Sequence, residues 1–492
     1  MNKTMIQFFH WYFPEDGSLW KQFKESCAFF SAQGITHVWL PPATKAHSGT
    51  SSVGYDSYDL YDLGEFNQKG AIRTKYGTKE EYLDAIKEAR KHGISVLADA
   101  VLNHKAGADE NEVVLAVKVK ETNRNQVISE PAEIEAATRF TFDGRGGKYS
   151  AFVWDRTCFT GVDWDARKRQ RAIFLFRNIY GNTWEEVIGK ENGNYDYLML
   201  SDIEFRNPWV REELKRWGEW QINEIGVDGF RLDAIKHITP SFFVEWLKHL
   251  NEKSSKPLFA VGEYWSGDNR LLGQYTKATR KCMRLFDVPL HYRFFHASRE
   301  KGKFDLRTIF SNTFTSTHPS LSVSFVDNHD TQPFQALLSY VDFWFKPLAY
   351  ALILLRKEGI PCLFYPDLYG ASYTENFKGK EVSVELKKVQ ELPILLECRK
   401  ERAYGRQREY LDEAHCIGWT REGTNKWPFS GLAVVVSNKG TGSKRMEVGA
   451  RHKGKVFFDV LGNVKKEVVI DSQGYGVFLC KANSVSVWIV KS

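Results

Sequence analysis

Acidic residues recur at one kind of place in this 492-residue chain, just after an apolar run of strand length and at the start of a polar loop. Four segments share that form. They are Asp99-Ala100-Val101-Leu102-Asn103-His104, Gly229-Phe230-Arg231-Leu232-Asp233-Ala234-Ile235-Lys236-His237, Gly262-Glu263-Tyr264-Trp265 and Phe325-Val326-Asp327-Asn328-His329-Asp330. Carboxylates at the ends of separate strands are how a parallel barrel gathers catalysts around one mouth. In the second segment, strand alternation puts Arg231 and Asp233 on one side and Phe230 and Leu232 on the other. A guanidinium beside Asp233 lowers its pKa and holds it ionised, the state a nucleophile needs. Glu263 ends the next strand, and neighbouring strands would bring the two carboxyls to about 5 Å, the separation of a retaining pair acting on a glycosidic bond. Tyr264 and Trp265 would shield Glu263 from water and raise its pKa, as a general acid at neutral pH requires. Asp330 adds a third acid, suited to orienting substrate hydroxyls or stabilising a cationic transition state. Asp99 is expected to brace its loop from inside the barrel. Each acid alone also fits a structural role, and it is their repetition at strand ends that favours chemistry.

The elements that must hold these acids follow a strand–helix rhythm. Strand-like runs occur at the opening residues and at 35–40, 94–98, 227–232, 257–261, 284–289, 321–326 and 361–365. Thr78 with Glu81 forms a capping box that starts a helix reaching about His92. Eight such units predict an α/β fold, a closed (β/α)₈ TIM barrel, over 1–104 and 208–395. No glycine-rich phosphate loop follows any strand, which disfavours a nucleotide-binding sheet. The interval 105–207 is far longer than a crossover and predicts an inserted subdomain over the mouth, after the third strand. Beyond 396 the chain turns to short β-rich runs separated by Gly and Asn, which predict a C-terminal antiparallel β-sandwich over 396–492.

Composition narrows the partners. Net charge is +7, from 68 Lys plus Arg against 61 Asp plus Glu, a mildly basic surface without a polyanion site. Its densest basic stretch, Arg167-Lys168-Arg169-Gln170-Arg171, reads as one face of a solvated helix rather than a nucleic-acid patch. Seven cysteines without a C-x-x-C pair argue against a disulfide framework or a zinc site. No charged-then-apolar leader and no membrane-length apolar run is seen, so a cytoplasmic location is expected, with secretion after leader removal as the alternative.

In the same order, the four segments resemble the signature regions of the α-amylase family of glycoside hydrolases, family 13. The likeness extends through Val53-Gly54-Tyr55-Asp56-Ser57-Tyr58-Asp59-Leu60-Tyr61-Asp62-Leu63-Gly64-Glu65-Phe66, Lys75-Tyr76-Gly77-Thr78 and Glu191-Asn192-Gly193-Asn194-Tyr195-Asp196-Tyr197-Leu198-Met199. It is nearest to the bacterial liquefying enzymes and their intracellular fungal relatives, and falls off in the C-terminal region. The resemblance implies endo-hydrolysis of α-1,4-glucan, with Asp233 as nucleophile, Glu263 as acid/base and Asp330 as transition-state stabiliser. It further implies that Arg231 hydrogen-bonds the nucleophile, that Tyr55 stacks on the cleaved sugar, and that His104 and His329 bind its hydroxyls. Lys236 and His237 would line the leaving-group side.

The resemblance also implies calcium between barrel and insertion, held by the side chains of Asn103, Asp196 and Asp202 and the carbonyl of His237, all oxygen donors. A second metal would sit near Asp163 and Asp202-Ile203-Glu204-Phe205-Arg206. There Arg206 replaces an acid and Glu204 a shorter Asp, and a fixed cation disfavours another beside it. One calcium is therefore expected, and a second calcium or sodium is not. The partner implied is an α-glucan, with no nucleic acid or membrane, and the protein is expected to be a monomer. A 4-α-glucanotransferase sharing the same glycosyl-enzyme, and a non-catalytic glucan-binding protein, are the alternatives.

Overall fold

The computed structural model describes residues 2–491. Eight short parallel strands close into a barrel: β1 (Met5–Gln7), β2 (His37–Trp39), β3 (Ser95–Ala100), β4 (Gly229–Leu232), β5 (Phe259–Gly262), β6 (Arg284–Phe286), β7 (Ser322–Phe325) and β8 (Ile360–Phe364). All eight overlap the apolar runs that predict them, with ends that differ by a few residues: most are shorter, whereas β3 continues through Asp99, expected to open its loop, to Ala100, and β5 continues to Gly262. The run at 284–289, for example, stops at Phe286 because the Asp287 carboxylate accepts from Leu290 N at 3.0 Å and starts the next helix at Val288.

Longer helices cover the outside: α1 (Leu19–Ala32), α2 (Lys79–Lys91), α3 (Pro208–Trp220), α4 (Pro240–Lys253), α5 (Asn269–Ala278), α6 (Val288–Glu300), α7 (Lys346–Leu354) and α8 (Leu392–Glu401). Helix α2 has the predicted capping box, in which Thr78 Oγ1 accepts from Glu81 N while Glu81 Oε2 accepts from Thr78 N at 2.9 Å.

Register decides which side chains share the mouth. Arg231 on β4 lies directly opposite Asp99 on β3 and Val261 on β5. A slip of one residue would turn Arg231 away from the barrel interior. Close approach of β4 and β5 depends on Gly229, where a Cβ would come within 1.9 Å of the Phe259 carbonyl oxygen.

Between β3 and α3 the chain builds an antiparallel sheet from His104–Lys105, Glu110–Lys120, Asn123–Val127, Ala132–Arg139, Phe159–Asp165, Gln170–Phe176 and Ser201–Ile203. It returns at Asn207, whose side chain accepts from Trp209 N at 2.9 Å to cap α3. The basic stretch from Arg167 to Arg171 is no helix. It is the turn and first residues of a β-hairpin, because Asp165 Oδ1 accepts from Arg167 N at 3.0 Å and Lys168 N at 3.4 Å and reverses the chain.

Two further departures concern the far end of the barrel. A hairpin of Ala371–Phe377 and Lys380–Leu386 follows β8, unforeseen from the sequence. The boundary expected at 395/396 falls inside α8. Arg399 of that helix is buried and donates to Thr4 Oγ1, Leu354 O and Lys3 O, so the helix stays with the barrel.

Beyond it, a six-stranded antiparallel sheet runs in the order Gln407–Glu413, Cys416–Arg421, Leu432–Ser437, Ser484–Val490, Val456–Asp459, Val468–Val469, with a two-stranded ribbon of Gly442–Glu447 and Tyr475–Cys480. One side of this sheet (Ile417, Trp419, Val434, Val436, Val487) joins the barrel's own hydrophobic core. The other side packs with the ribbon around Phe457, Phe478 and Trp488. All seven cysteines are unpaired.

Candidate active site

The mouth is organised around Arg231, which is fully buried. Its Nη1 lies 2.9 Å from Asp99 Oδ1 and 2.6 Å from Asp233 Oδ1. Its Nη2 lies 2.7 Å from Glu263 Oε2, close in charge though off the axis of a hydrogen bond. Three of the four strand-end acids thus converge on one guanidinium, whose two Nη atoms bridge Asp233 and Glu263. Asp99 is further fixed by Trp39 Nε1 and Tyr55 OH, each donating to Oδ2 at 2.9 Å, as its bracing role requires.

One positive charge cannot balance that many carboxylates in a buried site. Burial pushes Asp233 up to about 6, with Arg231 pulling down and Asp99 pushing further up. The sequence-based expectation of a depressed Asp233 is therefore corrected: Arg231 acts in the expected direction, but desolvation outweighs it. Asp233 still ionises at neutral pH. Glu263 is raised by burial and by the neighbouring Asp233 charge, again against Arg231. Its Oε1 is buried and has no hydrogen-bond partner in the protein. Shielding of Glu263 comes from the barrel as a whole, since Tyr264 packs on Tyr275 and Trp265 on Tyr292, His291 and Phe325.

Asp330 leaves the β7 end with a side chain 24% exposed, the most open of the acids, and is raised well above the usual carboxylate range by burial and then by Glu263. His329 Nε2 stands 3.4 Å from Asp330 Oδ2, and burial with Arg231 nearby holds the imidazole neutral. The rings of Tyr55, His329 and Trp11 lie parallel, Tyr55 being 5.1 Å from His329 and 5.9 Å from Trp11. His104 Nε2 meets the Tyr55 carbonyl at 2.8 Å and is kept neutral by burial. Tyr55, His104, Arg231 and His329 thus join the acids in one network.

Lys236 and His237 lie on the turn after β4, which Ala234 enters in the left-handed region at φ 48°. Such a φ costs a non-glycine residue energy and is tolerated where surrounding contacts enforce it. Lys236 reaches the Glu191 carboxylate on the insertion, and His237 Nδ1 meets the Tyr195 carbonyl at 2.6 Å. Burial pushes His237 down to about 3, so it is neutral.

The residues expected to hold calcium lie along the seam between barrel and insertion. Asn103 Nδ2 is 3.4 Å from Asp202 Oδ1, and Asn103 Oδ1 is buried without a partner. Burial raises Asp196 to about 7 and drives Asp202 well above the usual range, with Asp196, Glu185 and Glu204 adding to the latter. An orphaned amide oxygen beside two mutually repelling buried carboxylates fits a hard cation with oxygen ligands. Among the described residues no three His, Cys, Asp or Glu side chains converge as a ligand set. A set with only two carboxylates, completed by amide and carbonyl oxygens, would not form one.

Asp163 has no hydrogen bond to Asn103, Asp196 or Asp202, and its nearest cation is Arg171, at 3.8 Å. Arg206 clasps Glu204 with Nε at 2.7 Å and Nη2 at 2.5 Å, so one acid of the segment expected near a second metal is already paired with a guanidinium.

Several participants escaped the sequence reading. Glu185 is buried, accepts from Phe205 N at 2.5 Å and donates its own N–H to Asp196 Oδ2 at 2.9 Å. It lies in an irregular stretch where spacing carries no information. Glu191 and Trp11 were visible only as members of quoted or neighbouring motifs, without a partner to assign.

A closed eight-stranded parallel barrel with an arginine-bridged pair of carboxyls and a third acid at its mouth defines a glycoside hydrolase of the (β/α)₈ class. The chain belongs to the alpha-amylase family: residues 25–392 match the alpha amylase catalytic domain and 432–489 the alpha-amylase C-terminal domain. It is 51% identical over 488 residues to an alpha-amylase of Geobacillus stearothermophilus, covering 99% of this chain and 87% of that one. It is 45% identical over 492 residues to the cytoplasmic alpha-amylase of Escherichia coli strain K12, covering 100% and 99%. Its fold is similar to that of an alpha-amylase from Geobacillus thermoleovorans complexed with acarbose, with a TM-score of 0.63 at 18% identity, covering 100% of this chain and 98% of that one.

Proposed function

We propose that the protein cleaves internal α-1,4-glucosidic bonds of starch, glycogen or maltooligosaccharides by double displacement with retention. The observation that carries this is the Arg231 bridge between Asp233 and Glu263. In the first step the Asp233 carboxylate attacks the anomeric carbon while Glu263 gives its proton to the departing glycosidic oxygen, forming a glycosyl ester on Asp233. In the second, Glu263 takes a proton from water, whose oxygen displaces Asp233. Asp330 stabilises the positive charge that develops on the sugar ring, while neutral His329 and His104 hold its hydroxyls. Tyr55 offers a flat face to the same sugar. Lys236 and His237 border the leaving group.

Asn103, Asp196, Asp202 and the His237 carbonyl would hold one calcium ion. When bound, it supplies positive charge that ties the 105–207 insertion to the loop after β3. A second metal at Asp163 is disfavoured by Arg206. The reading also assigns action as a monomer and a cytoplasmic location. The seven unpaired cysteines and the cytoplasmic relative support that location. Among the described residues, no helix is long and apolar enough to cross a membrane.

Product chromatography on a defined maltooligosaccharide over time tests the reaction. Steady accumulation of shorter products is expected. Transient products longer than the substrate would instead mark a 4-α-glucanotransferase, because a sugar rather than water would be completing the second step.

A further inference from the structure

Asp330 lies five residues beyond the end of β7, so barrel hydrogen bonding does not fix it. What does fix it is a set of contacts that begins at Asp327, in the same segment and with no assigned part in the chemistry. Asp327 points back into the protein, where Oδ1 accepts from Thr331 Oγ1 at 3.1 Å and from Val341 N at 3.1 Å. Its Oδ2 lies 2.8 Å from Nζ of Lys346, at the N-terminus of α7. Lys346 Nζ also donates to Asp367 Oδ1 at 2.5 Å and sits 3.9 Å from the centre of the Tyr340 ring. Tyr350 OH donates to the other Asp367 oxygen at 2.5 Å. The side chains of Asp327, Lys346 and Asp367 have no solvent exposure.

The connection to Asp330 is a tight turn. Asn328 Oδ1 accepts from Asp330 N and Thr331 N, both at 3.0 Å, and Asn328 N donates to Thr331 Oγ1 at 3.0 Å. The Thr331 hydroxyl therefore links the Asp327 carboxylate to the backbone of the turn that presents Asp330.

We propose that Asp327, through Lys346 and Thr331, is the positioning residue for Asp330, and that the buried Asp327–Lys346–Asp367 set acts on catalysis and not only on stability. A surface acid one turn beyond a strand would sample many positions. Here the turn is clamped to the loop at Val341, to the start of α7 and to the segment after β8. Small displacements of a charge that acts in the transition state lower turnover more than binding.

The inference rests on the assigned role of Asp330, and the experiment separates the two. Asp327→Asn keeps the side-chain shape and an oxygen for Thr331 and Val341, but removes the charge facing Lys346. Thr331→Val breaks only the hydroxyl link. Both are compared with Asp330→Asn, alone and combined, for kcat and KM on one maltooligosaccharide, well below each variant's melting temperature. Expected for Asp327→Asn and Thr331→Val is a fall in kcat of at least about tenfold with KM within about twofold. In the Asp330→Asn background Asp327→Asn should add less than about twofold, because residues acting as one unit are not additive. Unchanged kcat in folded Asp327→Asn and Thr331→Val, with only the melting temperature lowered, would overturn the proposal. So would a full further loss in the double variant. If Asp330→Asn itself retains wild-type kcat, the assigned role of Asp330 fails instead. Should Asp327→Asn not fold, Thr331→Val alone decides.

Discussion

At the scale of single residues, the chemistry depends on how one guanidinium divides its charge. Arg231 faces Asp99, Asp233 and Glu263, and removing it would leave buried carboxylates uncompensated, a loss of about 3–5 kcal/mol in comparable sites. Asp233→Asn should lower hydrolysis by at least about 10³-fold while leaving the fold intact, since the nucleophile is lost but its shape is kept. Residual turnover near wild type would remove Asp233 from that role. With Asp233 raised to about 6 and required as an anion, kcat/KM should fall as pH drops through about 6. The two carboxyls titrate as a pair, so the limb belongs to both. Because Arg231 pulls Asp233 down, Arg231→Gln should move the acid limb to higher pH. An unmoved limb would show that Arg231 does not tune the nucleophile. The acids themselves were legible in the sequence because each lies at or just beyond the end of an apolar strand. Their net pKa was not, since burial is a property of the closed barrel and no local motif carries it.

At the scale of elements, β4 and its turn bring most of the site together. Gly229→Ala should destabilise the protein by at least about 1–3 kcal/mol, measured by denaturant unfolding, because the new methyl meets the Phe259 carbonyl. The seam between β3 and the insertion gives a second expectation. Chelation with EDTA should lower the melting temperature and calcium should restore it, through loss and regain of native-state binding energy. An unchanged melting temperature after confirmed metal removal would exclude calcium at Asn103, Asp196 and Asp202. The barrel strands were readable because buried parallel strands are continuous apolar runs. The hairpin of Ala371–Phe377 and Lys380–Leu386 was not, because it is largely exposed and rich in Lys and Glu, with its less exposed face made of Ala371, Tyr373, Glu375, Val382, Val384 and the buried Leu386. The turn at Arg167 was misread for a related reason. Dense charge looks like a solvated helix face, and only the Asp165 cap reveals the reversal.

At the scale of the whole molecule, barrel and C-terminal sheet share one apolar interior, as Trp419, Val434 and Val487 belong to the same core as the barrel helices. Heating should therefore produce a single cooperative transition, without an early loss of the C-terminal sheet. Two separated calorimetric peaks in the metal-loaded protein would contradict a common core. The sequence marked the C-terminal strands well but not this fusion, since alternation along a strand shows that one face is buried and not what buries it.

The position of Ser484–Val490 in that sheet carries a consequence for synthesis. This strand is not at an edge; it pairs with Leu432–Ser437 on one side and Val456–Asp459 on the other. In the barrel, β1 likewise waits for β8. Both closures pair segments that lie apart in the sequence, β1 with β8 above all. A chain made without Ser484–Val490 would have a split sheet and would expose to water the apolar side that faces the barrel. One interior strand thus seals two interfaces at once.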